Sequence, residues 1–322
     1  MDSLPRAADM MVTKLVTLAP QDHVFQGISF LLKHNITGAP VVDDDRNYLG
    51  VFSEKCCMGV LDATARRATR TTIQHQSPLA RDIMTTELVT LDKEMDAFDA
   101  IGYLLRHRIS GAPVIEEDGK FLGVFSEKTS MRVLLDAAYD QMPSSRVAAF
   151  MNTDFQRVIA DDITLLQVAR IFLKTPYRRL PVLRQGKLLG QISRRDVLRG
   201  QHHLAQYLDT GDRDDTILKA DILPGEDKPK QDPPMLSADV SAFMDCDART
   251  IGEDTDILTI ADLFLKTPYR RFPVMRAGKL VGQVSRRDVL QATHESMALK
   301  SPPEKTMLYL SSLVERNRAP IQ

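Results

Sequence analysis

Two stretches of this sequence carry the same distinctive set of arginines. They read PYRRLPVLRQGKLLGQISRRDVL from Pro176 and PYRRFPVMRAGKLVGQVSRRDVL from Pro268. Each stretch has one arginine pair before a short apolar run and a second pair after a serine. A guanidinium group binds phosphate oxygens through a planar fork of donors and stays charged at neutral pH. The chemistry indicated is therefore the binding of a phosphate-bearing ligand.

Eight arginines are the candidates for that binding. The pairs before the apolar runs are Arg178, Arg179, Arg270 and Arg271, and the pairs after the serines are Arg194, Arg195, Arg286 and Arg287. The second group falls at the predicted start of a helix, which is itself a site for anions. Arginine there opposes the helix dipole, and the sequence shows no folding benefit for it. The alternative interpretation is an ordinary solvated basic surface.

An aspartate follows each of these serines by three residues. The motifs are Ser193-Arg-Arg-Asp196 and Ser285-Arg-Arg-Asp288. Such a motif can be a capping box, in which the serine and the acid bond to the first turn of a helix. Two earlier helices begin with the same serine but have Cys56 or Thr129 in place of the aspartate. Capping therefore does not demand the acid, and a ligand role is the second interpretation.

Four internal repeats position these motifs. We number them units 1 to 4, with starts at Thr13, Thr86, Phe155 and Ala248. Units 1 and 2 align without a gap and resemble each other more than they resemble units 3 and 4. Each unit predicts a short strand, an amphipathic helix, two strands around a tight turn and a second helix. The first strands are expected at Leu15–Leu18, Leu88–Leu91, Arg157–Ala160 and Thr250–Gly252.

Composition narrows the class of protein. The 322 residues have a formal net charge of -1, so no global basic field points to nucleic acid or membrane binding. Three cysteines cannot build a disulfide framework, and no apolar stretch approaches the roughly 18 residues of a membrane span. The sequence shows no Cys and His spacing that suits zinc, no catalytic nucleophile with a general base, and no signal peptide. We expect a cytoplasmic protein that is not an enzyme and has no catalytic cofactor or metal site.

The repeats resemble the CBS (cystathionine β-synthase) domain. The β-α-β-β-α order, the strand with Pro-Val and the serine before the second helix carry this resemblance. Two tandem units are similar to a Bateman module, and four units resemble the γ regulatory subunit of AMP-activated protein kinase. The resemblance implies an α+β fold of four β-α-β-β-α CBS units paired into two Bateman modules, with ligand sensing rather than catalysis.

The repeat order predicts the domain boundaries. The first module is expected at 1–142, with units at about 12–65 and 82–138. The second is expected at 147–300, with units at about 147–205 and 238–296, an irregular insertion at about 209–237 and a tail at 301–322. Because like units are adjacent, like modules could also pair between chains, so we expect a homodimer.

The resemblance implies roles for particular residues. Asp196 and Asp288 would accept hydrogen bonds from ribose hydroxyls, with Ser193 and Ser285 near the ribose or phosphate. The residues implied around adenine are Arg157, Val158 and Pro181 in unit 3 and Thr250, Ile251 and Pro273 in unit 4. Units 1 and 2 lack the acid and the arginines. They have Glu54 and Glu127 at the helix start, where a carboxylate would repel phosphate.

These observations predict a regulatory protein that senses an adenosine nucleotide (AMP, ADP or ATP). Binding is expected in the second module, and the first is expected to serve structure or assembly. An effector protein is implied but not identified, and neither membrane nor nucleic acid binding is expected. Two alternatives stay open: a scaffold that binds an acidic protein or polynucleotide, and a sensor of S-adenosylmethionine or cyclic di-AMP.

Overall fold

The computed structural model describes residues 4–68, 78–139, 144–200 and 238–298. These residues form four similar α+β units, each with a two- or three-stranded sheet and helices on either side of it in sequence. The expected fold class is confirmed. The expected insertion at 209–237 and the tail at 301–322 lie outside the described residues.

Units 1 and 2 have the same elements. Unit 1 contains α1 (Ala7–Met10), α2 (Val24–Lys33), β1 (Gly38–Val42), β2 (Tyr48–Ser53) and α3 (Glu54–Ala68). Unit 2 contains α4 (Ala80–Ile83), α5 (Ala97–Arg106), β3 (Gly111–Ile115), β4 (Phe121–Ser126) and α6 (Glu127–Ala138). In both, the two strands pair antiparallel as a hairpin.

Units 3 and 4 add a short parallel strand to the hairpin. Unit 3 contains α7 (Val147–Phe150), β5 (Ile159–Ala160), α8 (Leu165–Lys174), β6 (Arg179–Arg184), β7 (Lys187–Ser193) and α9 (residues 194–200). Unit 4 contains a 3-10 turn (Val240–Ala242), β8 (Ile251–Gly252), α10 (Ile257–Lys266), β9 (Arg271–Arg276), β10 (Lys279–Ser285) and α11 (Arg286–Ala298).

The first strand of each unit is shorter than expected. In units 3 and 4 it has two residues, and a 3-10 turn (Phe155–Arg157) precedes it in unit 3. In units 1 and 2 it reduces to single parallel bridges at Leu18 and Leu91. Only these residues lie beside the neighbouring strand, where the Leu18 N–H donates to the Pro40 carbonyl at 3.0 Å.

The first segment of each unit crosses to a different unit. We call these four segments straps, and each contains a short helix or 3-10 turn: α1, α4, α7 and Val240–Ala242. The strap of unit 1 lies on unit 4, where the Ala7 N–H donates to the Thr255 carbonyl at 2.8 Å. The strap of unit 4 lies on unit 1, where the Val51 N–H donates to the Asp245 carbonyl at 3.0 Å. Units 1 and 4 therefore exchange straps.

Units 2 and 3 exchange straps in the same way. The Ala80 N–H of α4 donates to the Ile163 carbonyl at 2.8 Å, and the Ala97 N–H of α5 donates to Ser145 before α7 at 2.6 Å. The hairpins of the two units also meet, since the Phe121 N–H donates to the Gly186 carbonyl. The hairpins of units 1 and 4 meet through Lys279, whose ammonium donates to Asn47.

The strap exchange corrects the expected modules. We expected unit 1 to pair with unit 2 within 1–142 and unit 3 with unit 4 within 147–300, but the straps and hairpins pair unit 1 with 4 and unit 2 with 3. Sequence likeness between neighbouring repeats reports that two units share a local fold. It carries no information on which unit a strap covers.

Helices join the two pairs into a closed ring. Helix α3 of unit 1 packs on α8 of unit 3, and α6 of unit 2 packs on α10 of unit 4. One apolar core joins units 1 and 3 and another joins units 2 and 4, each built from buried side chains such as Phe52 with Phe172, and Phe125 with Phe264. The order around the ring is 1, 4, 2, 3, so units 3 and 4 lie diagonally opposite.

The ring predicts that the two halves of the chain depend on each other. Expressed alone, 1–142 and 143–322 should each lack a cooperative thermal transition, because each would expose the core faces that the other covers. Co-expressed, they should form a one-to-one complex, which light scattering and circular dichroism would detect. Independent cooperative unfolding of both halves at the temperature of the whole chain would contradict the ring.

Candidate functional site

Arginines of units 3 and 4 meet hydroxyl groups of units 1 and 2 at the centre of the ring. Arg179 begins β6, Arg178 directly precedes it, and Arg271 begins β9. Nη1 of Arg178 donates to Oγ1 of Thr37 at 3.4 Å, and Nη1 of Arg271 donates to the same oxygen at 2.9 Å. Arg179 donates to the Ser110 hydroxyl. All four units therefore contribute to this cluster, which we call the central cluster.

The central cluster holds positive charge that no salt bridge among the described residues neutralises. Because Arg178 and Arg271 share one acceptor oxygen, their Nη1 atoms are at most about 6.3 Å apart, the sum of the 3.4 Å and 2.9 Å distances. Within the described ranges, no salt bridge reaches Arg178, Arg179 or Arg271. Burial and then the charge of Arg270 lower the pKa of all three. This spacing suits a single phosphate group, whose several oxygens can accept from both guanidinium groups.

Two glutamates of units 1 and 2 neutralise other arginines. Glu127, which is 3% exposed, accepts both Nε and Nη2 of Arg270 at 3.1 and 3.2 Å. Glu54, which is 6% exposed, accepts Nε of Arg195 at 3.2 Å. The sequence analysis treated these glutamates as groups that repel phosphate in units 1 and 2. The structure instead makes each the partner of an arginine from another unit.

The aspartates after the serines form capping boxes. Oδ2 of Asp196 accepts the Ser193 N–H at 2.8 Å and the Ser193 hydroxyl at 2.6 Å. Oδ2 of Asp288 accepts the same two groups of Ser285 at 2.7 Å each. The capping interpretation is thus realised in both units. None of the hydrogen bonds among the described residues uses Oδ1 of either aspartate, so that oxygen is available to a second partner.

The surroundings of Asp288 disfavour its charged form. Burial raises its pKa, and the hydrogen bonds from Ser285 and the charge of Arg271 only partly oppose this effect. A hydrogen-bond donor at Oδ1 would therefore stabilise its charged form.

Arg194 and Arg286 have a folding role that the sequence did not show. Arg194 is 4% exposed and donates from Nη2 to the carbonyls of Phe172 and Thr175 at 3.2 and 3.1 Å. Arg286 does the same at the end of α10, with Phe264 and Thr267 at 3.1 and 3.3 Å. The expectation of no folding benefit is wrong, because these cations satisfy carbonyls at a helix C-terminus. Burial lowers the pKa of each to about 10.

Arg195 and Arg287 differ in their surroundings. Besides Glu54, Arg195 donates to the side-chain oxygen of Asn35 in unit 1. Arg287 donates from Nη2 to the Leu105 carbonyl at the end of α5, at 2.6 Å. Both arginines therefore reach the end of the first helix of another unit, and Arg195 also pairs with Glu54 at the start of α3, whereas Arg287 has no salt bridge among the described residues.

The residues expected around adenine have mixed placements. Pro181, Pro273 and Ile251 are buried in β6, β9 and β8, and Val158 and Thr250 lie just before the short first strands. Arg157 lies with its guanidinium carbon 5.0 Å from the centre of the Tyr177 ring. Its Nε is buried without a hydrogen-bond partner, and burial lowers its pKa.

Sequence reasoning missed three residues of the site. Thr37 and Ser110 align with the first arginine of each central pair, and their hydroxyls are the acceptors in the cluster. Lys128 donates to the Thr267 carbonyl at 3.4 Å, and burial followed by Arg286 lowers its pKa. The identical Ser-Glu-Lys in units 1 and 2 was the available signal, since Glu54, Glu127 and Lys128 all bond to residues of other units.

The family comparison matches all four units. The model described as "CBS domain" matches residues 7–62, 80–134, 147–203 and 239–295. Each match includes the strap of its unit. Together the matches cover more than half of the chain.

Curated relatives include proteins of several kinds. An uncharacterised protein of Methanocaldococcus jannaschii, MJ1225, is 22% identical over 233 residues, which cover 67% of this chain and 82% of that protein. An A-adding tRNA nucleotidyltransferase of Aquifex aeolicus is 29% identical, over 37% of this chain and 14% of the enzyme. An inosine-5'-monophosphate dehydrogenase of M. jannaschii is 21% identical, over 49% of this chain and 30% of the enzyme. The chain thus spans less than a third of either enzyme.

Solved structures with detectable similarity have low TM-scores. CBSX2 of Arabidopsis thaliana in complex with AMP is 28% identical to this chain, with a TM-score of 0.36. The match covers 39% of the present chain and 98% of the CBSX2 chain. MJ1225, proposed as an archaeal homologue of γ-AMPK, is 20% identical, covers 89% and 99%, and has a TM-score of 0.38. The CBS pair of MJ0100, with 5'-methylthioadenosine and S-adenosylmethionine, is 20% identical, with a TM-score of 0.34. The match covers 40% of the present chain and 99% of the MJ0100 chain.

Among the described helices of the present chain, none is both long and apolar enough to cross a membrane.

Opposite stability effects should distinguish the two kinds of arginine. Arg194→Met removes the charged donor and leaves the carbonyls of Phe172 and Thr175 without it. Each lost hydrogen bond should lower the free energy of unfolding by roughly 1.5–3 kcal/mol. Arg271→Met should leave stability unchanged or raise it, because it relieves repulsion in the central cluster. Urea unfolding at pH 7 measures both. Equal losses of stability in the two variants would contradict the distinction.

The raised pKa of Asp288 predicts a pH effect on stability. Below the unfolded pKa of about 3.9, the group is protonated in both states and has no effect. As pH rises, the unfolded chain loses this proton first, so the folded state is progressively destabilised until pH exceeds the raised pKa. The stability of Asp288→Asn relative to the parent should therefore increase between pH 4 and pH 7 in urea unfolding. A constant difference over that range would contradict this prediction.

Proposed function

The chain belongs to the CBS domain family, and from that premise we propose that it is a regulatory protein that binds an adenosine nucleotide at units 3 and 4. The ligand class is AMP, ADP or ATP. The observation that supports this most is the central cluster, in which Arg178, Arg179 and Arg271 have hydroxyl partners but, among the described residues, no salt bridge. A phosphate group would supply the missing negative charge.

The two capping aspartates complete the proposed sites. Asp196 and Asp288 use Oδ2 for the helix cap, so Oδ1 can accept a ribose hydroxyl without breaking the cap. The electrostatic interaction between Asp288 and Arg271 supports a ribose acceptor of unit 4 close to the central cluster. A nucleotide with its ribose at Asp288 is then oriented with its phosphate toward Arg271.

Units 1 and 2 complete the sites of units 3 and 4. Thr37 and Ser110 hold the central guanidinium groups in place, and Glu54 and Glu127 neutralise two of their neighbours. We propose that these units bind no nucleotide through their own second helices, which lack the aspartate. Their role in assembly is to close the ring on which the central cluster depends.

The burial of the arginines favours a small ligand over a scaffold partner. An acidic protein or polynucleotide needs an exposed basic face, whereas Arg178, Arg179 and Arg271 are half-buried at a meeting point of all four units. S-adenosylmethionine carries no phosphate and would leave the cluster's charge unmatched. Cyclic di-AMP carries phosphates and stays an alternative ligand. The proposed role is non-catalytic and cytoplasmic, with the signal passed to an effector protein.

The homodimer stays a prediction. The ring closes within one chain, so a dimer would use outer faces of the units rather than exchange modules. We expect a mass of two chains by light scattering at micromolar concentration, where a single-chain mass would contradict dimerisation and leave the nucleotide proposal intact.

Calorimetry on the full chain tests the nucleotide proposal. AMP, ADP and ATP should bind, with affinity that falls as salt rises, while S-adenosylmethionine should bind more weakly. Arg271→Met should lower the affinity for AMP by roughly 10- to 100-fold, the equivalent of a lost charged hydrogen bond of about 1.5–3 kcal/mol. Asp288→Asn should weaken the unit 4 site for the same reason.

Arg276→Met is the matched control, because it removes an arginine from the same strand, β9. Arg276 is exposed and pairs with Glu253 away from the central cluster. The Arg276→Met variant should bind AMP as tightly as the parent chain does. The proposal fails if no adenosine ligand binds the parent chain, or if Arg271→Met and Arg276→Met have the same effect.

A further inference from the structure

An open pocket of about 630 Å³ lies where unit 2 meets unit 4. It is bounded by the end of α5 and the start of α11. Arg106 and Arg108 enter it from unit 2, and Arg287, Asp288 and His294 enter it from unit 4. The pocket therefore adjoins the proposed ribose acceptor of unit 4 but is built partly from the unit that has no nucleotide motif.

The arginines of the pocket have no salt-bridge partner among the described residues. In the ranges that the structure describes, Arg106, Arg108 and Arg287 form no salt bridge, and Arg287 donates to the Leu105 carbonyl. The guanidinium carbon of Arg106 lies 5.9 Å from the centre of the Tyr103 ring, which orients it without neutralising it. Asp288 is the one carboxylate among the lining residues, against three guanidinium groups. A ligand that matches this pocket is an anion.

A glycine within α5 keeps two of these groups close together. A Cβ atom at Gly102 would lie 3.0 Å from Nε2 of His294 and 3.2 Å from Nη1 of Arg106, so a side chain there would displace them. These distances place the two nitrogen atoms at most about 6.2 Å apart, their sum. Glycine inside a helix destabilises it relative to alanine. At position 102 the missing side chain leaves room in the pocket for His294 and Arg106.

Arg108 occupies a backbone conformation that suits another residue better. Its φ is +53°, in the left-handed region that asparagine adopts more readily than arginine. Unit 1 has Asn35 at the aligned position, with the same φ of +53°. The local fold therefore works with asparagine, and unit 2 has a cation instead.

The corresponding interface between units 1 and 3 lacks these features. Ser29, Lys33 and Asn35 stand where unit 2 has Gly102, Arg106 and Arg108. Arg195, the counterpart of Arg287, is neutralised by Glu54. The basic pocket is therefore a property of the unit 4 site and distinguishes it from the unit 3 site.

We propose that this pocket binds the distal phosphates of a nucleoside di- or triphosphate whose ribose lies at Asp288. Arg106 and Arg108 are then specificity residues that unit 2 contributes to unit 4. The unit 4 site prefers ligands with more phosphate groups, and the unit 3 site lacks this preference. This inference rests on the proposed function for the position of the nucleoside.

The test uses the full chain with Arg106→Gln and Arg108→Asn combined. Calorimetry with ATP and with AMP should show that the parent chain binds ATP about tenfold more tightly than AMP at one site. The double variant should bind ATP about as tightly as AMP, with its AMP affinity within about twofold of the parent. Its thermal stability should be unchanged or higher, since both arginines are exposed and asparagine suits the backbone at position 108.

Lys33→Gln is the matched control, because it removes the aligned cation at the interface of units 1 and 3. It should leave the affinities for ATP and AMP unchanged. Equal ATP affinity in the double variant and the parent would overturn the inference, as would an equal loss in Lys33→Gln.

Pyrophosphate is the third ligand of the test and identifies the source of the phosphate. If the double variant loses pyrophosphate binding but keeps the ATP preference, the pocket belongs to a free anion and the inference is overturned. AMP binding without an ATP preference in the parent chain would contradict this inference alone. A parent chain that binds neither AMP nor ATP would contradict the proposed function itself.

Discussion

The constraint on which this structure depends is positive charge at the meeting point of four units, where no salt bridge among the described residues neutralises Arg178, Arg179 or Arg271. Like charges held within hydrogen-bond reach of one oxygen repel one another, and burial increases the cost. The ring tolerates Arg178 and Arg271 on Thr37 because packing elsewhere holds the units in place. An anion at this point would convert that repulsion into attraction. Ligand binding would then stabilise the ring as a whole, since each unit supplies part of the cluster.

The strap exchange explains how one chain brings diagonal units together. Units 3 and 4 are not neighbours in the ring, yet an arginine from each donates to the same threonine of unit 1. This requires unit 1 to contact both, which it does through hairpins and straps with unit 4 and through α3 with α8 of unit 3.

The sequence predicted the units but not their partners. Periodicity, turns and the serine before each second helix report local structure, and all four units have the expected fold. Pairing across units depends on contacts between distant residues, such as Ala7 with Thr255, which no local pattern contains. The site shows the same division. The arginine pairs and Asp288 were visible as motifs, whereas the capping role of Arg194 and the partner of Glu127 depend on tertiary contacts.

The most direct measurement is a crystal structure of the full chain with AMP bound. The account predicts phosphate density at the centre of the ring, within hydrogen-bond distance of Arg178 or Arg271. It also predicts a ribose hydroxyl on Oδ1 of Asp196 or Asp288, with the helix cap through Oδ2 intact. AMP bound with its phosphate outside the central cluster, or bound at the second helices of units 1 and 2, would contradict the account.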